Sequence, residues 1–304
     1  MATLPTYGDS AETHADWMEL RALTSVDRFA SWVSYKRDLT VGGSLDAEEV
    51  NASADERLET LVEDLVAELS DRRKHCGGEC NYPFLVGAHG IECLGGSTSL
   101  AYRFQLLLTV LGRDVAPGVG RGDRLFEDLA AEALFNYLGG GSGVERSVFG
   151  FPRRLMPTSF RDAVNTLCDR IGEGKGGQEV PEASDQKDAY LDVVAWRDFP
   201  DRRLGKLIAF GQCATGENWK DKFRDLQPDK WCRSWMRRSP VVTPVSTFFM
   251  PRRAERDYWR RTNIYGGIVF DRCRVAAFTA DLESDLRQKL NAWISEALSG
   301  EEGS

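Results

Sequence analysis

The sequence predicts an α/β fold with a mixed central sheet flanked by helices, preceded by a mostly α-helical N-terminal domain. Three observations carry this. Residues 55–73 place Leu58, Leu61, Val62, Leu65, Val66 and Leu69 on one helical stripe with acids opposite. The stretch 112–122, Gly-Arg-Asp-Val-Ala-Pro-Gly-Val-Gly-Arg-Gly, crowds four glycines and a proline together and marks a domain boundary. After it, short Val-, Ile- and Phe-rich runs alternate with amphipathic helical stretches. Residues 1–113 are expected to form a helical regulatory or partner-docking domain, and residues 120–304 the α/β domain.

Each element follows from local pattern. Residues 12–38 repeat apolar groups at helical spacing, through Trp17, Leu20, Leu23, Phe29, Trp32 and Val33. Residues 39–54, rich in Gly, Ser, Asn and Asp, read as a loop before the helix of 55–73. Tyr-Pro-Phe-Leu-Val at 82–86 reads as a buried strand, and 99–112 as a short apolar helix. Residues 124–138 form a helix that buries Leu125, Phe126, Leu129, Ala133, Leu134 and Tyr137 and stops at Gly139-Gly140-Gly141. Next come a strand at 144–151, a helix at 160–171 and a polar loop at 172–186. Residues 190–222 read as strand, hairpin, strand and helix. A strand at 241–249, a basic helix or turn at 252–262, a strand at 268–278 and an amphipathic helix at 281–298 complete the chain.

Composition narrows the function classes. With 42% hydrophobic and 28% charged residues, the 304-residue chain has an ordinary globular balance. A net charge of −8 argues against a wholesale polyanion-binding coat and leaves room for a local basic groove. No apolar run approaches the roughly 20 residues that span a bilayer. The N-terminus lacks a charged region followed by an apolar core, so no signal peptide is read. Seven scattered cysteines read most simply as reduced thiols in a cytoplasm.

Chemistry is concentrated in 190–222. Asp192 interrupts an apolar strand run, Gln212 ends the second strand, and Lys220 and Lys222 lie in the helix that follows. An acid and an amide in strands need a partner that satisfies them, and a divalent cation would do so. A second metal option lies at 76–93. Cys76, Cys80, His89 and Cys93 are enough ligands for a structural zinc, but no tight Cys-x2-Cys knuckle is present, and reduced structural cysteines are the preferred reading. A Cys213 nucleophile would need one of the three histidines, at 14, 75 and 89, all in the first domain.

The order of a Phe126-Glu127 helix, Asp192 on a strand, a hairpin, a second strand ending in Gln212, and a helix resembles the PD-(D/E)xK, or restriction-endonuclease-like, nuclease superfamily over roughly residues 120–280. The glutamine is similar to that of the Mrr-like branch. The resemblance implies that Asp192 and Gln212 hold a divalent metal, Mg²⁺ or Mn²⁺, that Glu127 completes the site, and that a lysine positions the attacking water. The family places that lysine two residues after the Glu or Gln. Here Ala214 stands there, so the role would pass to Lys222, with Lys220 as the second candidate.

Hard oxygen ligands suit Mg²⁺, and a Lewis acid that lowers the pKa of water suits phosphodiester hydrolysis. Residues 220–261 hold twelve Lys/Arg against five Asp/Glu, interleaved with Trp231, Trp235, Tyr258 and Trp259, a composition that suits a nucleic-acid backbone. A solvated charged face over a Trp-bearing core is the plainer reading. The expected function is a metal-dependent endonuclease acting on DNA. Restriction or antiphage defence is the role that the resemblance implies, with a second copy or a defence partner protein to be expected. A nuclease-fold module that binds nucleic acid or a partner without cutting is the alternative.

Overall fold

A computed structural model describes residues 3–41, 52–78, 80–95, 99–180 and 186–302. The protein is mixed α/β, with eleven helices, a three-stranded sheet and an open five-stranded mixed sheet among the described residues. The chain divides into two compact units, one comprising Met1–Asp123, Pro251–Glu255 and Arg272–Ser304, the other Arg124–Met250 and Arg256–Asp271.

The first unit contains α1 (Ala11–Thr24), β1 (Phe29–Ser31), α2 (Trp32–Val41), α3 (Ala52–His75), β2 (Phe84–Gly87), β3 (Gly90–Cys93) and α4 (Leu100–Val110). Its antiparallel sheet has the order β1-β3-β2. The continuous helical reading of 12–38 is therefore corrected. Ser25 Oγ accepts the Phe29 N–H and donates to the Phe29 carbonyl, and Arg28 adopts φ 55°. These local bonds offer the backbone an alternative to the helix and break it after Thr24. The loop expected at 39–54 falls mostly outside the described residues.

The second unit begins within α5 (Gly122–Tyr137) and continues through β4 (Val144–Val148), α6 (Phe160–Ile171), β5 (Val193–Arg197), β6 (Leu207–Cys213), α7 (Trp219–Lys222), α8 (Pro228–Trp235), β7 (Val245–Phe249), α9 (Arg256–Gly266) and β8 (Ile268–Phe270). The sheet order follows the sequence, β4-β5-β6-β7-β8. The β4–β5 and β5–β6 pairs are antiparallel, and β6–β7 and β7–β8 are parallel. Helix α6 shows how pattern becomes packing. Ser159 caps its start, Gly172 ends it at φ 75°, and Phe160, Ala163, Val164, Leu167, Cys168 and Ile171 form its buried stripe. That stripe joins a core centred on Trp231, whose ring meets Phe149, Phe160 and Phe210 edge-on at centroid distances of 5.8, 6.2 and 5.3 Å.

The end of the chain departs from expectation. The strand expected at 268–278 is only β8, and α10 (Arg272–Ala277) replaces the rest. Arg272 is fully buried and grips Asp16 in a fork, Nη1 to Oδ1 at 2.6 Å and Nη2 to Oδ2 at 2.8 Å. Buried Arg72 bonds Asp16, Glu19 and Glu68, so two guanidiniums and three carboxylates form one interior network. The last helix, α11 (Ser284–Glu302), packs on α4 through Trp293, whose ring meets Phe104 at 5.0 Å and whose Nε1 donates to the Gly120 carbonyl. Residues 251–255 and 272–304 thus group with the N-terminal residues rather than with the expected 120–304 domain. The Gly-rich stretch is held by its own turns, Gly120 N–H to Ala116 O and Gly122 N–H to Arg113 O.

Candidate functional site

The strand pair β5–β6 positions the central groups. Val193 to Trp196 are fully buried, as suits β5, an interior strand between β4 and β6. Asp192 precedes β5, where its N–H donates to the Gly211 carbonyl and its carbonyl accepts from Phe149 and Gly150. Its carboxylate Oδ2 accepts the Cys213 N–H at 2.7 Å, so the side chain lies along residues 211–213. Gly211 lets the neighbouring strands pack closely, since a Cβ there would meet Val193, Phe249 and Thr247 at 2.5–2.8 Å. Burial raises the Asp192 pKa most. The Cys213 N–H bond opposes that, Asp188 adds to it, and the charges of Arg124 and Lys222 oppose it, leaving the carboxyl at about 7.

Gln212, the next residue along β6, is buried, and its Oε1 has no hydrogen-bond partner among the described residues. Leaving such an oxygen desolvated costs about 1–3 kcal/mol. Glu127 comes from α5. Its carboxylate lies over Gly150, where a Cβ would meet Oε2 at 2.7 Å and Cδ at 2.9 Å. The same Gly150 donates its N–H to the Asp192 backbone carbonyl, so the helix acid lies over the segment that pairs with the Asp192 main chain. Burial drives the Cys213 thiol well above its ordinary pKa, and the charges of Asp192 and Glu127 push it further. Both carboxylates therefore act on Cys213, whose side chain leaves β6 on the face opposite that of Gln212. That thiol is held protonated, and all three histidines lie outside the second unit, so the cysteine-nucleophile reading has no support.

The two lysines differ. Lys220 places its ammonium 4.1 Å from the ring centroid of Tyr258 in α9 and 5.7 Å from that of Trp219. Lys222 is half-buried, and its charge acts on Asp192. Two neighbours escaped the sequence reading. Arg124 Nη1 contacts Glu127 Oε1 at 2.5 Å, and Asp188 receives the N–H groups of Phe151 and Tyr190 while its charge acts on Asp192. Their signals are spacings, three residues before Glu127 on a helix and four before Asp192 in a loop.

No family model, curated protein or solved structure matches this chain. The site is therefore judged on its own geometry.

Among the described residues no group of three or more His, Cys, Asp and Glu side chains is placed to hold a metal. The donors expected from the sequence are of another kind, two carboxylates and one carboxamide, and of these the Gln212 Oε1 is a buried oxygen without a hydrogen-bond partner, as a hard-cation ligand would be. The zinc option does not survive geometry. His89 sits in the turn between β2 and β3, and Cys93 ends β3 opposite Phe84, roughly 13 Å away at about 3.3 Å per residue. Cys76 is buried in the core, and Cys80 is exposed. The basic excess of 220–261 is also divided. Arg253 is mostly buried and pairs with Glu68 in the first unit, while Arg233 and Arg237 pair with Asp229 and Glu179. Arg224, just after α7, stacks 3.8 Å from the ring centroid of Tyr265 in α9.

Proposed function

We propose that the protein is a Mg²⁺- or Mn²⁺-dependent endonuclease that hydrolyses DNA phosphodiester bonds. The observation that carries this reading is the buried, unpartnered Gln212 Oε1 on the residue next to Cys213, whose N–H holds the Asp192 carboxylate. Asp192, Gln212 and Glu127 would hold the cation. Bound there, it would supply a Lewis acid for the phosphoryl oxygen and a lower pKa for water. Asp192 is oriented by the Cys213 N–H, and Lys222 supplies an ammonium that orients water and offsets charge developing on the phosphate. Strand order and pairing sense support the resemblance to the PD-(D/E)xK superfamily: the antiparallel strands β4, β5 and β6 are followed by the parallel strands β7 and β8, and the Asp192 N–H bonds the Gly211 carbonyl next to Gln212. That resemblance also suggests restriction or antiphage defence as the setting.

The second reading, a nuclease-fold module that binds without cutting, is favoured by one observation: Ala214 is fully buried where the family has its lysine. Cleavage of supercoiled plasmid with Mg²⁺ or Mn²⁺, against EDTA, separates the two. Metal-dependent nicking that disappears in Asp192→Ala supports the enzyme, and cleavage retained in that variant rejects the site.

A further inference from the structure

Glu127 cannot serve a cation and Arg124 at once. The Arg124 guanidinium contacts Glu127 Oε1 at 2.5 Å, with the two side chains only 25% and 8% exposed. The pair lies one helical turn apart on α5, and the loop residue Arg154 steadies that turn through Asp128 and the Arg124 carbonyl. Arg124 also acts on Asp192, the other carboxylate of the proposed set. A guanidinium does not lose its proton in a protein. Its hold on Glu127 is therefore broken only by another cation or by an anion that draws the fork away. Phosphate matches that fork.

We propose that Arg124 competes with the divalent cation for Glu127, keeping the site weak for metal until the guanidinium is drawn off to substrate phosphate. This rests on the metal-site reading above and assigns Arg124 a positioning role, acting through Glu127. Removing the competitor should tighten metal binding even without substrate. Arg124→Gln should bind Mn²⁺ about five- to tenfold more tightly, as loss of a partly buried ion pair implies, measured by electron paramagnetic resonance of free Mn²⁺ on the full chain. Arg124→Lys, which keeps the charge but loses the fork, should fall between, and it serves if the glutamine variant does not fold. The gain should vanish in Arg124→Gln/Glu127→Gln. Equal or weaker Mn²⁺ binding in both Arg124 variants, with Asp192→Ala abolishing binding, overturns this inference and leaves the metal site standing. Unchanged binding in Asp192→Ala removes the metal site and this inference with it.

Discussion

Replacing Asp192 by asparagine should stabilise the metal-free protein at pH 8 and leave it unchanged near pH 4. The carboxyl is held from its ordinary 3.8 up to about 7, chiefly by burial. At about 1.4 kcal/mol per pH unit, ionising it in the folded state costs on the order of 4 kcal/mol. Solvent at a half-buried side chain reduces that to roughly 1–3 kcal/mol. The sign follows from linkage: the folded state binds this proton more tightly, so stability from this group is full below about pH 4, falls as pH rises toward 7, and is flat above. Asparagine keeps an acceptor for the Cys213 N–H without the charge. Urea denaturation in EDTA at pH 4 to 8 reads the difference. Added Mg²⁺ should stabilise the wild type alone, because only its carboxylate binds cation. A variant less stable than wild type at pH 8, or a difference that does not vary with pH, refutes the argument.

Gln212→Leu should raise metal-free stability by about 1 kcal/mol, because an unpartnered buried oxygen is removed, while metal binding and cleavage are lost; a calorimetric melt and a plasmid assay check both. Lys222→Ala should lower the cleavage rate by about 100-fold, whereas Lys220→Ala should cost less than about fivefold, since the Lys220 ammonium sits on Tyr258; equal losses would refute the distinction. Arg272→Met should destabilise the fold by about 3–5 kcal/mol in chemical denaturation, because Asp16 loses its forked partner and keeps the Arg72 contact through Oδ1. Burial alone would raise the Asp16 pKa, but Arg272 and Arg72 outweigh it and bring it to about 2, so stability from that group is present above about pH 4 and lost as pH falls toward 2. An acid titration followed by circular dichroism should show that loss shifted in Asp16→Asn.

Periodicity made the long elements legible: α3, α5, α6 and α11 each announce themselves by an apolar stripe, and the α6 limits of 160 and 171 match the serine and glycine that cap it. The hairpin of β5 and β6 is likewise written in runs of Val, Ile and Phe around a polar turn. Local bonds misled the reading at 12–38, because Ser25 satisfies backbone groups that a helix would otherwise use. The Arg124–Glu127 pair was within reach of helix spacing, but its importance depended on where Gly150 lies.

The sequence by itself determined which residues have the right chemistry, since charge, amide and strand propensity are local properties of Asp192, Gln212 and Lys222. Only tertiary structure decided which of them share a neighbourhood, with the Asp192 carboxylate on the Cys213 N–H and the Lys220 ammonium on the Tyr258 ring. It also drew residues 272–304 into the first unit, because Arg272 finds its carboxylate 256 residues away in the chain. Partnership of that kind depends on three-dimensional closure of the chain, and no spacing along the sequence encodes it.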